Sequence, residues 1–184
     1  MADAPALFAA RSDLEVMRYW DWPAQKAVAE VEAVIASYQV DIDAGTVLWW
    51  AVALSPDSPA IGECDLSEID SHRRHAELDF LFASAHWGKG YAWEAAERMT
   101  ACGFDTLGFE RLWARFHAGN ESSRRLLERL SFAYEGTLKR HILRDGERRD
   151  CIIIYGRTVR LSVSVHRCDV NFLFLVGDVK MQPP

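Results

Sequence analysis

The chain has 184 residues, and 49% of them are hydrophobic, a share typical of a globular protein with one sizeable core. Its formal net charge of −6 argues against a nucleic-acid partner, because contact with phosphates requires a clustered basic face. An acidic chain suits a cationic partner such as an amine. No stretch approaches the length of a membrane span, and the N-terminus lacks a basic patch followed by an apolar core, so we expect a cytoplasmic protein with no membrane partner.

The first half of the chain predicts two helical segments followed by three strands. Apolar residues recur at helical spacing twice, and the first pattern is interrupted at Ser12-Asp13, where Asp13 can cap a second turn. The strand segments are rich in aromatic and β-branched residues and are separated by turn residues. The helices are predicted at residues 3–20 and 24–38, and the strands at residues 46–54, 60–66 and 75–83.

The third predicted strand has an alternating pattern that places its acidic residues together. Glu77, Asp79 and Leu81 point to one face of the strand, because side chains alternate with a period of two. Leu78, Phe80 and Phe82 point to the other. The face with the two carboxylates is therefore the one on which we expect chemistry.

The second half predicts two more helices and three more strands. A helix follows the third strand and stops near Leu107-Gly108, where glycine suits a left-handed cap, and Ser122 is a candidate N-cap for the next helix. Asp145-Gly146 is a strong two-residue hairpin signal between the last two strands. The helices are predicted at residues 93–104 and 123–130, and the strands at residues 111–117, 132–143 and 148–157.

A glycine turn at residues 86–92 is a candidate anion site. Gly88 and Gly90 permit a tight turn directly before a helix, whose first N–H groups have no partner of their own and can bind a pyrophosphate. A dinucleotide fingerprint would need a third glycine where the chain has Trp93, and a P-loop would need a hydroxyl residue after Lys89. Both readings fail, and an ordinary strand-to-helix turn remains the alternative to a phosphate site.

Several short motifs, in this order and spacing, resemble one known family. They cover residues 8–157 and lie at residues 16–20, 61–63, 75–78, 87–95, 120–123, 126–130 and 145–150. Together they resemble the RimJ/RimL branch of the GNAT N-acetyltransferases, which includes enzymes that acetylate the N-termini of ribosomal proteins. The resemblance implies an α+β fold with a central, twisted, mixed sheet that splays apart in the middle, with helices on both faces.

The resemblance also implies where acetyl-CoA, the only cofactor we expect, would bind. The pantetheine arm would pair with the backbone where the third and fourth predicted strands splay, and the pyrophosphate would lie on the N–H groups of the glycine turn. Asn120 would hold the end of the pantetheine, and Ser123 would lie beside the sulfur. The implied acetyl-CoA residues are Leu81, Phe82, Trp87, Gly88, Lys89, Gly90, Tyr91, Ala92, Asn120 and Ser123.

The chemistry requires a base, because an alkylammonium with a pKa near ~10 must lose a proton before it attacks a thioester. Glu77 is the first choice, since a similar strand carries the base in histone-acetylating relatives, and Asp79 and Glu63 are the other candidates. A structural role for Glu77 remains the alternative. Ser123 could protonate the departing thiolate, unless it is an ordinary first-turn residue.

The predicted acceptor site lies under an aromatic loop. In this family the segment Trp20, Asp21 and Trp22 would overhang the acceptor, where Asp21 could attract a cation, and Glu63 is a further substrate-binding candidate. His72 and His75 have no third ligand nearby, so we predict no metal.

The chain departs from the family pattern at both ends. The usual first strand is missing, and residues 158–184 form an extension beyond a domain of residues 1–157, with strand-like segments at residues 161–165 and 170–176. We expect the extension to cover the bare sheet edge or to pair with a second subunit in a homodimer. Ser131 replaces the glycine that usually follows the fourth helix, which predicts a left-handed conformation there.

The sequence therefore predicts an N-acetyltransferase that passes an acetyl group from acetyl-CoA to a primary amine by direct attack in a ternary complex. The acceptor could be a protein N-terminus or a small molecule, and the sequence does not choose between them. The alternative function is a GNAT-fold module that binds acyl-CoA without turnover, as a sensor or interaction domain.

Overall fold

The computed structural model describes residues 3–157 and 173–175, which are organised around one sheet. The helices are α1 (Ala4–Arg11), α2 (Leu14–Met17), α3 (Val28–Asp43), α4 (Tyr91–Ala101) and α5 (Glu121–Arg129). The strands are β1 (Leu48–Ala53), β2 (Ala60–Asp70), β3 (His75–Phe82), β4 (Arg111–His117), β5 (Ala133–Arg144), β6 (Glu147–Arg157) and β7 (Leu173–Leu175). Within the described residues these strands form a single mixed sheet in the order β5-β6-β4-β3-β2-β1-β7.

The sheet separates two layers of helices. The face covered by α4 and α5 carries the larger apolar core, in which Leu78 packs with Met99. On the other face, α1 and α3 pack over a smaller cluster that includes Leu7 and Trp49. The middle of this second face is polar, because alternation along β2, β3 and β4 places charged side chains there. They are Glu63, Asp65, Glu77, Asp79 and Arg115.

The middle of the sheet opens between β3 and β4. These parallel strands pair only from His75 with Arg111 to Glu77 with Trp113, although both continue for several residues. Beyond Glu77 the two strands diverge, and their facing edges have no strand partner among the described residues. The predicted α+β fold with a splayed mixed sheet and helices on both faces is thus observed.

Three predicted helix boundaries were wrong for identifiable reasons. The third helix starts at Val28 instead of residue 24, because Glu30 Oε2 accepts a hydrogen bond from Lys26 N–H at 2.8 Å and fixes the preceding turn. It continues past residue 38 to Asp43, since Ile42 extends the apolar face. In α5 the N-cap is Asn120, not Ser122: its Oδ1 accepts a hydrogen bond from Ser123 N–H at 3.2 Å.

Two local predictions, the cap of α2 and the conformation of Ser131, were confirmed. Asp13 caps α2 by accepting a hydrogen bond from Glu15 N–H at 2.8 Å. Ser131 has a left-handed conformation with φ of 65°. No helix in the described part of the chain has both the length and the apolar character needed to cross a bilayer.

The described part of the C-terminal segment lies at the β1 edge. The backbone of Leu173–Leu175 pairs in parallel with residues 51–53 of β1. The other predicted strand of this segment, at residues 161–165, lies outside the described residues. Pairing with a second subunit stays a prediction.

Candidate active site

A cleft of about 400 Å³ opens where β3 and β4 diverge. Its walls come from the end of β3, the glycine turn, the start of α4, the first turns of α5 and the segment around α2. Of the ten residues predicted to hold acetyl-CoA, nine line this cleft, and Lys89 lies in the same turn without lining it. The structure therefore brings the predicted acetyl-CoA residues together in one place.

The glycine turn presents free backbone amides to the cleft. Gly88 and Gly90 have φ values of 73° and 89°, in the left-handed region that favours glycine. Gly90 is the N-cap of α4 and offers no side chain to cap it. Within the described residues, no hydrogen bond from the backbone N–H groups of residues 88–93 is seen. These amides and the helix dipole together form a site for an anion.

The gap-facing edge of β3 is set by the alternation of its backbone. Ala83 N–H donates to Ile61 O on β2 at 3.0 Å, so the odd-numbered residues, including Leu81, direct their backbone groups to β2. Phe80 and Phe82 consequently direct theirs into the gap. The Phe82 carbonyl accepts a hydrogen bond from Trp87 Nε1 at 2.8 Å. Of the two residues predicted to pair with a pantetheine arm, it is Phe82 whose backbone faces the gap.

A second, smaller cavity of about 90 Å³ adjoins the cleft. The two share Tyr19, Trp20, Phe80, Asn120 and Ser123 in their walls, so they lie side by side. The small cavity extends between the diverging strands towards the polar face of the sheet. Its lining includes Trp20, Asp21, Trp22, Asp79, Arg115 and His117.

Asp79 is the carboxylate that reaches the small cavity from β3. Burial raises the pKa of Asp79 to about 6, although the nearby Arg115 guanidinium acts in the opposite direction. Ser67 donates a hydrogen bond to the same carboxylate and also lowers its pKa. A carboxylate with a pKa close to neutrality can take up and release protons under physiological conditions.

Glu77 lies deeper and does not line either cavity. Its side chain is buried, with Arg115 Nε 3.1 Å from its Oε1. Burial raises the pKa of Glu77 to about 9, and the negative charge of Asp79 adds to this effect. A side chain that lines neither cavity and whose pKa is raised does not suit the first-choice base of the sequence analysis.

Glu63 does not belong to the cleft. It is buried on β2 and forms an ion pair with Arg11, the last residue of α1. Neither cavity is lined by Glu63. Its prediction as a base or substrate-binding residue is not supported, because it anchors a helix to the sheet instead.

Sequence reasoning missed two side chains of the small cavity, Arg115 and His117. Both lie on β4, on the same face as Glu77 and Asp79 in the register of the sheet. His117 is buried, and its Nε2 lies 2.9 Å from Asp21 Oδ1. The signal was present in the sequence, since two polar residues alternate with apolar ones in a strand that is otherwise a core strand.

Comparisons with known proteins agree with this geometry. Residues 1–133 match the sequence model of the acetyltransferase (GNAT) domain. An uncharacterized N-acetyltransferase of Bacillus subtilis (strain 168), YoaA, is 27% identical over 144 residues, or 78% of this chain and 81% of that protein. Another, p20 of Bacillus licheniformis, is 30% identical over 139 residues, covering 76% and 78% of the two chains.

The fold is also similar to that of solved structures. One is the spermidine N-acetyltransferase of Vibrio cholerae in complex with CoA and spermine, with a TM-score of 0.74 over 85% of this chain and 90% of that one. The two sequences are 22% identical. At this identity the likeness concerns the fold alone.

Proposed function

Because the chain belongs to the GNAT acetyltransferase family, we propose that it transfers the acetyl group of acetyl-CoA to a slender primary amine that enters the small cavity. One observation carries this proposal. An amide-lined turn and a carboxylate with a pKa near neutrality line two adjoining cavities at the splayed centre of the sheet. The first can hold the donor and the second can deprotonate the acceptor.

The residues of the larger cleft fit acetyl-CoA. The amides of the glycine turn face a space in which a side chain at Gly88 or Gly90 would meet no neighbour within 4 Å, so the backbone is open to a ligand. Arg125 and Arg129 add positive charge to the α5 wall of the cleft. Acetyl-CoA supplies the acetyl thioester, and these residues would hold its phosphates. We place the thioester end at Asn120 and Ser123, which border both cavities.

We assign the base role to Asp79. Its carboxylate would accept a proton from the ammonium group in the small cavity, and the neutral nitrogen would then form the new N–C bond as the C–S bond breaks. The hydroxyl of Ser123 would give a proton to the departing thiolate and regain one from the nitrogen, which carries one proton too many until the neutral amide forms. Asn120 keeps Ser123 in place, since its Oδ1 accepts from Ser123 N–H at 3.2 Å.

The acceptor cavity favours a cationic, unbranched amine. A volume of about 90 Å³ admits an alkylammonium end but not a bulky ring system. Asp21 and Asp79 attract the positive charge, and the rings of Trp20 and Trp22, with centroids 5.1 Å apart, provide an aromatic wall for it. A polyamine fits this description, as in the Vibrio cholerae spermidine N-acetyltransferase. A protein N-terminus is the second candidate, because the motifs at residues 87–95 and 120–130 resemble the RimJ/RimL branch.

An acceptor panel tests the proposal. Release of CoA from acetyl-CoA should be stimulated by linear diamines and polyamines, and mass spectrometry should show one added acetyl group per product molecule. Peptides with free N-termini serve as the comparison set, and aromatic amines of similar pKa serve as the size control. Binding of acetyl-CoA without acetylation of any acceptor would contradict the proposal and favour a non-catalytic acyl-CoA-binding module.

Replacing Gly90 with valine should weaken acetyl-CoA binding. A β-branched residue at φ of 89° costs roughly 1–3 kcal/mol, so the turn would shift and its amides would lose their common direction. We expect the Kd to rise about tenfold or more, since a factor of ten corresponds to 1.4 kcal/mol. Isothermal titration calorimetry measures this directly.

Gly45 offers a matched control for that experiment. It also has a positive φ, 73°, with no neighbour within 4 Å of an added Cβ, but it lies in the turn between α3 and β1. Gly45→Val should therefore carry a similar strain and leave acetyl-CoA affinity unchanged. Equal affinities for Gly90→Val and Gly45→Val would show that the glycine turn does not bind the phosphates.

A further inference from the structure

The loop that covers the small cavity is held by hydrogen bonds to residues at the end of β4 and just after it. This loop, Arg18 to Trp22, belongs to no helix or strand, yet contacts far along the chain hold it down. Tyr19 Oη donates to Gly119 O at 3.1 Å, and Arg149 Nη1 donates to Arg18 O at 3.1 Å. A loop without regular structure is thereby given a defined position over the acceptor site.

The most buried of these contacts is the pair of His117 and Asp21. His117 is 2% exposed, whereas the Asp21 side chain is 40% exposed. Nε2 of His117 must carry a hydrogen to donate to Asp21 Oδ1 at 2.9 Å. The Tyr19 ring meets the imidazole edge-on, with ring centroids 6.4 Å apart at 76°, and thus limits its rotation. The imidazole is fixed by its surroundings, and the loop carboxylate is fixed by the imidazole.

Building on the proposed function, we infer that His117 is a positioning residue that latches the Arg18–Trp22 loop over the acceptor cavity and aims the Asp21 carboxylate at the entering ammonium group. One oxygen of Asp21 is engaged by His117, and the carboxylate lines the cavity with Asp79. The hydrogen bond from His117 also lowers the pKa of Asp21, so this carboxylate keeps its charge while that of Asp79 exchanges protons. Asp21 of the loop would thus bind the cation, and Asp79 of β3 would accept its proton.

Steady-state kinetics separate this role from a structural one. In His117→Ala the KM for the amine should rise about tenfold, because a hydrogen bond to a charged group is worth roughly 1.5–3 kcal/mol. The KM for acetyl-CoA should change less, by about twofold, since the backbone amides of the glycine turn lie outside the loop, although Arg18, Tyr19 and Trp20 also line that cleft. His117→Gln, which can place an amide N–H near the position of Nε2, should recover most of the loss. His72→Ala, on an exposed turn, is the control for loss of an imidazole.

Hydrogen–deuterium exchange gives a readout that does not depend on activity. Amides of residues 18–22 should exchange faster in His117→Ala and in Asp21→Ala, while β4 keeps its protection. Asp21 is far more exposed than His117, so its replacement tests the latch even if the His117 variant fails to fold. Asp21→Asn retains an acceptor for His117 and should keep the loop protected, but it should raise the KM for the amine.

The two proposals fail in different ways. If no amine is acetylated, the proposed function is wrong. The exchange rates of residues 18–22 still test whether His117 holds the loop in place. If an amine is acetylated but neither these rates nor the KM for the amine change in His117→Ala and Asp21→Ala, the latch is overturned and the proposed function stands. Faster exchange without a change in that KM would also overturn it, since the loop would then not serve the acceptor.

Discussion

Replacing Asp79 with asparagine should lower kcat/KM for the amine by about 10²–10³-fold, a loss typical for removal of a general base. Asparagine has the same shape but cannot accept the proton from the ammonium group. Acetyl-CoA affinity should be unchanged, because Asp79 lines the small cavity and not the larger cleft. Steady-state kinetics and calorimetry on the same preparation would measure both quantities.

The pH dependence of kcat/KM provides a second test of Asp79 as the base. Because the pKa of Asp79 is raised to about 6, the active, deprotonated form is lost as the pH falls through about 6. The wild-type kcat/KM should therefore rise between pH 5 and pH 7 in an acidic limb, and Asp79→Asn should lack this limb. An unaltered acidic limb in the variant would exclude Asp79 as the base.

Glu77→Gln is the matched control for Asp79→Asn. Burial raises the pKa of Glu77 and so favours its neutral form, which glutamine resembles, and the side chain lines neither cavity. We expect kcat/KM at pH 7 to change by no more than about threefold, compared with the much larger loss expected for a base. A loss as large as that of Asp79→Asn would return the base role to Glu77, the first choice on sequence grounds.

The alternation of β3 was readable from sequence because side-chain direction in a strand is a local property. Glu77, Asp79 and Leu81 share a face as predicted, since they lie opposite Ser67, Asp65 and Glu63 in the register with β2. The bounds of β4 were predicted correctly for the same reason. The glycine turn also followed from local chemistry, since Gly88 and Gly90 can adopt the positive φ values of a tight turn without steric cost.

The division of roles between the carboxylates was not readable from sequence. It depends on where β3 and β4 stop pairing, directly after Glu77 and Trp113, and no local pattern encodes that point. Glu77 is the last residue of β3 that pairs with β4, whereas Asp79 lies beyond the paired region and faces the small cavity. Glu63 lies on β2 and its partner Arg11 lies on α1, 52 positions earlier in the chain, so only the folded structure shows that the charge of Glu63 is already engaged.

Replacing Arg11 with methionine should destabilise the fold by about 3–5 kcal/mol, because it leaves the Glu63 carboxylate buried without its cation. The Arg11 and Glu63 side chains are only 2% and 5% exposed, and the pair joins α1 to the middle of the sheet. Urea unfolding measures the loss. Arg98→Met, which breaks an exposed i,i+4 ion pair with Glu94 at 2.7 Å, should cost no more than about 0.5 kcal/mol.

The double variant Arg11→Met/Glu63→Leu distinguishes a lost attraction from an orphaned charge. Replacing both partners with apolar residues removes the buried carboxylate, so most of the single-variant loss should be recovered. Burial raises the pKa of Glu63, with Arg11 opposing the shift, so without Arg11 the pKa should rise further. A carboxyl group whose pKa is higher in the folded than in the unfolded state makes the protein less stable as the pH increases. The loss of unfolding free energy in Arg11→Met should therefore be larger at pH 7.5 than at pH 5. Additive losses in the double variant, with no dependence on pH, would show that the two side chains act independently.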